Sequence, residues 1–301
     1  MSSLGYYIFY GFIWLISFLP LRVLYVISDF LYLIVCYVIR YRRSVIFENL
    51  RNSFPEKTEK ERKKIAHQFY RFLCDMFIET IKVLHISTEQ IHRRIRYSNP
   101  QMFEDLSKKG KQIFFVPGHY GNWEWLATLE HTIPYHHSTL YQPLHNKHFD
   151  KLYYDLRTKY GTDAIPSNMV IRAINKYQTE NRLTALCFLA DQAPQSSQSH
   201  YWTTFLNQES SIFLGVEKLS RRYNTAVLYY EIRRVKRGYY VVDTTLITEN
   251  AAETADKEIT DKHVELLEQT IRRTPQYWLW SHRRWKRKRP KEETADSPSV
   301  T

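Results

Sequence analysis

The chain of 301 residues has only three cysteines, which lie far apart and form no Cys-x-x-Cys pair. Cys36, Cys74 and Cys187 therefore indicate neither a disulfide framework nor a zinc site. Glycine and proline are also scarce, at 8 and 11 residues, and nowhere gather into a linker. Since no internal repeat is present either, the sequence predicts one large domain with at most an appendage.

Charge is missing from the start of the chain. Residues 1–21 contain no charged side chain and many aromatic ones, and the stretch is long enough to cross a bilayer. A second apolar run, 23–39, is interrupted only by Ser28 and Asp29, and it either completes a helical hairpin or lies against the membrane surface. No secretory cleavage site is visible, so the segment is expected to stay attached. We predict a membrane anchor over residues 1–43; a buried core hairpin is the alternative.

The basic residues predict an orientation and a partner. No Lys or Arg precedes Arg22, whereas Arg40, Arg42 and Arg43 follow the apolar runs. The positive-inside rule then places the rest of the chain in the cytoplasm. The formal charge of +12 is explained by an anionic membrane surface. Nucleic acid is not predicted as a partner, because the sequence has no RNP or zinc-finger motif.

A second concentration of positive charge lies near the C-terminus. Residues 281–291 hold seven Lys and Arg side chains around Trp285. We expect this surface, including Arg283 and Arg284, to meet phosphate groups; a solvated basic tail is the alternative. Residues 292–301 are expected to be disordered.

Between these ends the hydrophobic pattern alternates between two periods. Strands are predicted at 112–117, 138–141, 183–189, 226–233 and 239–247. Helices are predicted at 56–84, 123–130, 146–160, 169–179, 212–222 and 255–273. This alternation indicates an α/β fold over residues 44–291, with a mainly parallel central sheet flanked by helices.

A histidine at the end of a predicted strand is the strongest candidate for chemistry. By composition about one His-x4-Asp/Glu pair is expected by chance, and the chain has three: His119/Glu124, His145/Asp150 and His263/Glu268. The second and third lie in helix-like polar stretches, where such pairs are usually solvated. Only His119 follows an apolar run that ends in Pro117-Gly118, at the position where a strand delivers side chains to a cleft.

The turn after this strand predicts how the pair is assembled. Gly118 is small enough for a ligand to approach the backbone, and Asn122 can cap the helix that follows. Such a turn would bring the carboxylate of Glu124 back to the imidazole of His119. A carboxylate on one ring nitrogen makes the other a base for a hydroxyl proton. The alternative is a hydrogen-bonded structural histidine.

Two further polar residues are predicted to reach the same cleft. Asp191 follows another apolar strand, and the ends of parallel strands face one way; a turn-forming aspartate is the alternative. Arg157, on a predicted helix between the two strands, can hold a phosphate or an oxyanion, or can be an exposed helical cation.

Several motifs occur in a distinctive order. They are the apolar N-terminus, Tyr41-Arg-Arg-Ser-Val-Ile-Phe-Glu-Asn-Leu-Arg-Asn-Ser-Phe-Pro55, Gly118-His-Tyr-Gly-Asn-Trp-Glu124, Leu140-Tyr-Gln-Pro143, Asp191-Gln-Ala-Pro194 and Pro275-Gln-Tyr-Trp-Leu-Trp-Ser-His-Arg-Arg-Trp-Lys286. Together they resemble the lysophospholipid acyltransferase family, and within it the late lipid A acyltransferases of Gram-negative bacteria. Each motif is weak alone, but their order and spacing are specific.

The resemblance implies a glycerolipid acyltransferase-like fold in the bacterial inner membrane. It implies transfer of a lauroyl- or myristoyl-type chain from acyl carrier protein to a hydroxyl of a lipid A precursor, with no metal or redox cofactor. His119 matches the catalytic base and Glu124 its partner, and Arg157 and Asp191 match further functional positions. The family has Tyr-Arg-Pro where this chain has Gln142, which bears on the acceptor headgroup more than on the chemistry.

Two other functions remain open from the sequence. In the first, the chain is an enzyme that acylates an aminolipid or a lysophospholipid. In the second, it is a non-catalytic basic protein that binds the membrane surface. Dispersal of His119, Glu124, Arg157 and Asp191 over the surface would favour the second of these.

Overall fold

A seven-stranded sheet forms the centre of the molecule, and helices cover both of its faces. The computed structural model describes residues 3–130, 132–194 and 200–289. The strands are β1 (Ile95–Tyr97), β2 (Ile113–Phe115), β3 (His136–Tyr141), β4 (Asp163–Pro166), β5 (Thr184–Cys187), β6 (His200–Phe205), β7 (Gln208–Phe213), β8 (Ala226–Lys236) and β9 (Tyr239–Thr248). The α-helices are α1 (Ser3–Ile16), α2 (Leu21–Leu33), α3 (Arg43–Ser53), α4 (Glu59–Lys82), α5 (Thr88–His92), α6 (Gln101–Lys108), α7 (Lys147–Thr158), α8 (Val170–Thr179), α9 (Gly215–Tyr223) and α10 (Glu258–Arg273).

The strand order is β1-β9-β8-β2-β5-β3-β4. Strands β8, β2, β5, β3 and β4 are parallel neighbours, whereas β9 is antiparallel to β8 and parallel to the edge strand β1. The α/β fold with a mainly parallel sheet is therefore confirmed. Strands β6 and β7 form a separate antiparallel hairpin.

The central strand β2 explains why the sheet lies in the middle of the core. All three of its residues are buried. Ile113 and Phe115 belong to the apolar cluster on one face, and Phe114 to the cluster on the other. A strand covered on both faces has a continuous apolar sequence rather than an alternating one.

Most predicted elements are present, with adjusted ends. Helix α4 begins at Glu59 because Thr58 and Glu61 form a reciprocal capping box, which satisfies the first free N–H groups. Four strands, β1, β4, β6 and β7, lie outside the predicted strands. The helix predicted at 212–222 begins only at Gly215, since the residues before it complete β7.

The N-terminal runs differ from the prediction. The first does not form one long helix: α1 ends at Ile16, so its 14 residues span about 21 Å against the ~30 Å of a hydrocarbon core. Helix α2 continues through a π-helical turn (Ile34–Val38). Leu21–Val38, with a mean hydropathy of 1.9, is one helix long and apolar enough to cross a membrane, which suggests membrane association. A fully buried core hairpin is wrong, because only 28% of that window is buried.

Candidate active site

The pairing of two central strands brings His119 and Asp191 together. Phe115 of β2 lies opposite Cys187 of β5 in parallel register. His119 and Asp191 each follow their member of this pair by four positions, so both come off the same edge of the sheet.

Asp191 holds His119 by both its ring and its backbone. Oδ1 of Asp191 lies 2.6 Å from Nδ1 of His119, and Oδ2 accepts the backbone N–H of His119 at 2.9 Å. The indole N–H of Trp278 donates to the same Oδ2 at 2.8 Å. With both carboxylate oxygens occupied, the imidazole is fixed in orientation, and Nδ1 is the nitrogen that carries the proton toward Asp191.

The electrostatics keep this carboxylate ionised. The side chain of Asp191 is only 2% exposed, and burial alone would raise its pKa. The nearby imidazole and the hydrogen bonds from His119 and Trp278 outweigh burial, so the pKa of Asp191 lies well below its usual range. A charged Asp191 stabilises the imidazolium that forms when His119 accepts a proton.

The predicted contact between Glu124 and His119 is wrong. Glu124 lies on a 3₁₀ helix, Trp123–Thr128, and accepts two hydrogen bonds from Arg157: Nε to Oε2 at 3.0 Å and Nη2 to Oε1 at 2.7 Å. The turn directs the carboxylate toward α7 rather than back to the imidazole. Glu124 therefore holds Arg157, and the carboxylate that holds His119 is Asp191.

Asn122 fixes the turn before Glu124 through hydrogen bonds of its side chain. It caps the 3₁₀ helix as predicted, its side-chain oxygen accepting the N–H of Trp125 at 3.3 Å. Its amide donates to Glu79 Oε2 at 2.6 Å, and its side chain is fully buried. Asn122 is also a predicted substrate-binding residue; both ends of its amide are engaged inside the protein, and a contact with substrate stays a prediction.

Glu79 is a buried carboxyl that the sequence analysis missed. It accepts hydrogen bonds from Tyr25 of α2 at 2.7 Å and Tyr240 of β9 at 2.7 Å, in addition to Asn122. Burial raises the pKa of Glu79. This side chain thus ties α2, the sheet and the turn before Glu124 to one point of α4.

Replacing Glu79 with glutamine is expected to lower the free energy of unfolding by about 1–3 kcal/mol, because an amide cannot accept all three donors and leaves one buried and unpaired. Urea unfolding of the detergent-solubilised protein measures the effect. Tyr25→Phe is the matched control, since it removes one donor and leaves the carboxyl in place, and should cost less. Equal stability of Glu79→Gln and the parent protein would contradict this role.

Gly118 has a packing role, and its contact with a ligand stays a prediction. A Cβ at this position would lie 2.6 Å from Cδ1 of Leu267 and 3.2 Å from Oδ2 of Asp191. A Cβ here would force the Leu267 side chain to shift, so glycine lets α10 and Asp191 pack close to the strand end.

A cavity of about 570 Å³ opens beside the imidazole. Its polar lining includes His119, Glu124, Gln142, Arg157 and Gln192, and its apolar lining includes Phe115, Leu126, Leu140, Leu189 and Leu279. Three of the four predicted catalytic side chains thus face one space, and the fourth, Asp191, supports His119 from behind. A volume of this size, lined by both apolar and polar side chains, is typical of a small-molecule site.

Gln192 is a second residue that the sequence analysis missed. Its amide nitrogen lies 3.2 Å from Nε2 of His119, and both residues line the cavity. The ring nitrogen opposite Asp191 therefore faces the space where a substrate would bind. The only sequence indication for Gln192 was its position next to Asp191.

The other predicted binding residues have mixed outcomes. Gln142 lines the cavity and accepts a hydrogen bond from Ser167 at 3.0 Å. Arg283 is exposed, and its contact with phosphate stays a prediction. Arg284 is 2% exposed and donates to the carbonyl of Ser211 at 2.8 Å, so its expected place on a phosphate-binding surface is wrong. Burial lowers the pKa of Arg284 to about 10.

Comparison with known proteins supplies the family. A comparison with curated proteins gave no match. The profile that describes bacterial lipid A biosynthesis acyltransferases matches residues 1–287, a range that includes β2, β5, the cavity and the segment with Trp278. On this evidence the chain belongs to the bacterial lipid A biosynthesis acyltransferase family.

Proposed function

We propose that this acyltransferase moves a lauroyl- or myristoyl-type chain from acyl carrier protein to a hydroxyl of a lipid A precursor, with His119 as the general base. The observation that supports this most is the buried contact between Asp191 and Nδ1 of His119, which leaves Nε2 at the cavity. An imidazole held in this way by a carboxylate is a standard device for taking a proton from a hydroxyl.

In the proposed reaction the acceptor hydroxyl binds in place of the contact between Gln192 and Nε2 of His119. The hydroxyl proton moves to Nε2 while the oxygen bonds to the thioester carbonyl carbon. When the C–S bond breaks, the leaving thiolate takes the proton from the imidazolium. The ester and the free thiol of the carrier are the products, and His119 is regenerated without a metal or redox cofactor.

The negative charge that develops on the thioester carbonyl oxygen must be stabilised by hydrogen-bond donors. The amide of Gln192 lies close enough to the base to serve the oxyanion, and such a donor is commonly worth 10²- to 10³-fold in rate. Arg157 uses Nε and Nη2 to hold Glu124. We therefore assign the Arg157–Glu124 pair to shaping the cavity and supplying positive charge beside a phosphate or the oxyanion, with Nη1 as the donor.

The N-terminal helices and the net charge of +12 support a location at the cytoplasmic face of the bacterial inner membrane. Acidic carrier protein and anionic lipid are both attracted by such a charge. The exposed Arg283 belongs to this basic surface. The cavity argues against a purely non-catalytic binding protein, because three of the predicted catalytic side chains, those of His119, Glu124 and Arg157, converge on it.

Mass spectrometry of lipids from a deletion strain tests the acceptor. We expect lipid A from that strain to lack one acyl chain, and the chain to return with a plasmid copy of the wild-type protein but not of His119→Ala. A normal lipid A, together with loss of an acylated aminolipid or phospholipid, would contradict the assignment and identify the other acceptor.

A further inference from the structure

Helix α2 is docked along its whole length on α4. Its buried face pairs with polar side chains of α4 in antiparallel order: Cys36 with His67, Ser28 with Asp75, and Tyr25 with Glu79. The turn before α2 is held in the same way, because Lys82 Nζ donates to the carbonyls of Ser17 and Leu19 at 2.8 and 3.0 Å. The helix that could span a membrane is thus part of the folded body.

An ion-pair network lies along one side of the contact between α2 and α4. Asp29, near the middle of α2, lies 2.8 Å from Nη2 of Arg237, and the same guanidinium lies 2.6 Å from Asp75. Arg234 is a second partner of Asp75 at 2.7 Å. These ion pairs connect α2 to α4 and to the β8–β9 turn. The side chain of Asp29 is 57% exposed, so water or lipid headgroups can reach its charge.

The opposite face of α2 is apolar and exposed. Val23, Val26, Phe30, Leu33 and Tyr37 are 44–69% exposed, and they recur at the three- and four-residue spacing of one helix face. Helix α1 adds Leu4, Ile8, Phe12 and Leu15, each at least 62% exposed. Exposed arginines flank α2 at Arg22 and Arg40, where they can meet anionic headgroups.

We propose that α1 and α2 lie along one leaflet of the membrane, with this apolar face at the boundary of headgroups and acyl chains, and that neither helix crosses the bilayer. If α2 crossed while docked, it would carry Asp75, Lys82 and the polar side chains around them into hydrocarbon, where charged groups are costly. An in-plane helix places the same groups on the aqueous side.

This orientation brings the membrane to the cavity wall. Tyr6 of α1 stacks on His148 of α7 with ring centroids 4.7 Å apart, and Phe9 lies 5.6 Å from Phe149. Helix α7 also supplies Arg157 to the cavity lining. The inference therefore rests on the proposed function in one respect: a lipid acceptor would reach His119 from the leaflet that α1 touches, without leaving it.

Cysteine labelling in spheroplasts tests the in-plane arrangement. Ser3→Cys and Phe18→Cys place a thiol at the start of α1 and in the turn before α2, and Lys60→Cys places one on the exposed surface of the body. Labelling by a membrane-impermeant maleimide is expressed relative to detergent-solubilised protein. The parent protein, with Cys36 and Cys74 buried and Cys187 partly exposed, gives the background. We expect all three variants to stay at background in intact spheroplasts.

Strong labelling of both Ser3→Cys and Phe18→Cys from outside would show that α2 crosses alone, and strong labelling of Phe18→Cys without Ser3→Cys would show a crossing hairpin. Either result overturns the inference. The same variants are assayed for acyl transfer and membrane flotation. Active, membrane-bound variants that label from outside would refute only the in-plane arrangement. If the variants bind the membrane and stay unlabelled, but the parent protein shows no acyl transfer, only the proposed function would be refuted.

Discussion

Replacing Asp191 with asparagine is expected to lower the turnover of acyl transfer by about 10⁴-fold, because an amide in place of the carboxylate favours the wrong imidazole tautomer and no longer stabilises the imidazolium. The substitution preserves the size and shape of the side chain. Turnover of the purified variant with acyl-loaded acyl carrier protein and a lipid A precursor gives the rate, and circular dichroism checks that the fold is kept.

Glu124→Gln is the matched control for this substitution. It also exchanges a carboxylate for an amide at the cavity, but its hydrogen bonds go to Arg157 rather than to His119. NMR of histidine labelled with ¹⁵N separates the two. The hydrogen-bonded Nδ1–H signal of His119 should disappear in Asp191→Asn and persist in Glu124→Gln. The opposite pattern would contradict the assignment of Asp191 as partner.

Replacing His119 with alanine is expected to reduce acyl transfer by about 10²- to 10⁴-fold, since the base that takes the hydroxyl proton is lost. Membrane association should be unchanged, because His119 lies far along the chain from the N-terminal helices and makes no hydrogen bond to them among the described residues. Acyl transfer in membrane extracts, with the amount of protein measured by immunoblot, gives the effect.

His145→Ala is the control for His119→Ala. His145 also belongs to a His-x4-Asp pair, but it is exposed, so its removal should change the rate by no more than about twofold. Turnover of His119→Ala close to that of the parent protein would remove His119 from the mechanism. A large loss in His145→Ala would mean that histidine removal perturbs the protein in a less specific way.

The sequence was sufficient to place His119 at the end of a buried strand but not to identify its hydrogen-bond partner. The apolar run that ends in Pro117-Gly118 is a local pattern, and it identifies the end of a buried strand directly. The pairing of His119 with Asp191 depends on the register between β2 and β5, which are separated by about seventy residues. Glu124 is closer in sequence, but the 3₁₀ helix turns it toward Arg157, and a spacing rule does not contain that direction.

Burial of polar side chains accounts for the other differences between the sequence-based predictions and the structure. Arg284 belongs to a run of basic residues, and composition alone does not distinguish the one that points inward to Ser211. Glu79 was one of many charged residues on α4, and its three donors come from distant elements. In the N-terminal run, Ser28 and Asp29 were the two polar interruptions, and both turn out to be contacts with the body of the protein.

The most direct test of the central claim is a rapid-quench single turnover of purified wild-type and His119→Ala protein, with enzyme and acyl-loaded acyl carrier protein both in excess over a lipid A precursor. Product and the intact mass of the enzyme are followed together. We predict that the wild-type protein forms the acylated lipid in one step with no acylated enzyme, and that His119→Ala forms almost none. An acyl chain found on the wild-type enzyme would contradict direct transfer to the acceptor, and product formed by His119→Ala at a similar rate would contradict a base at His119.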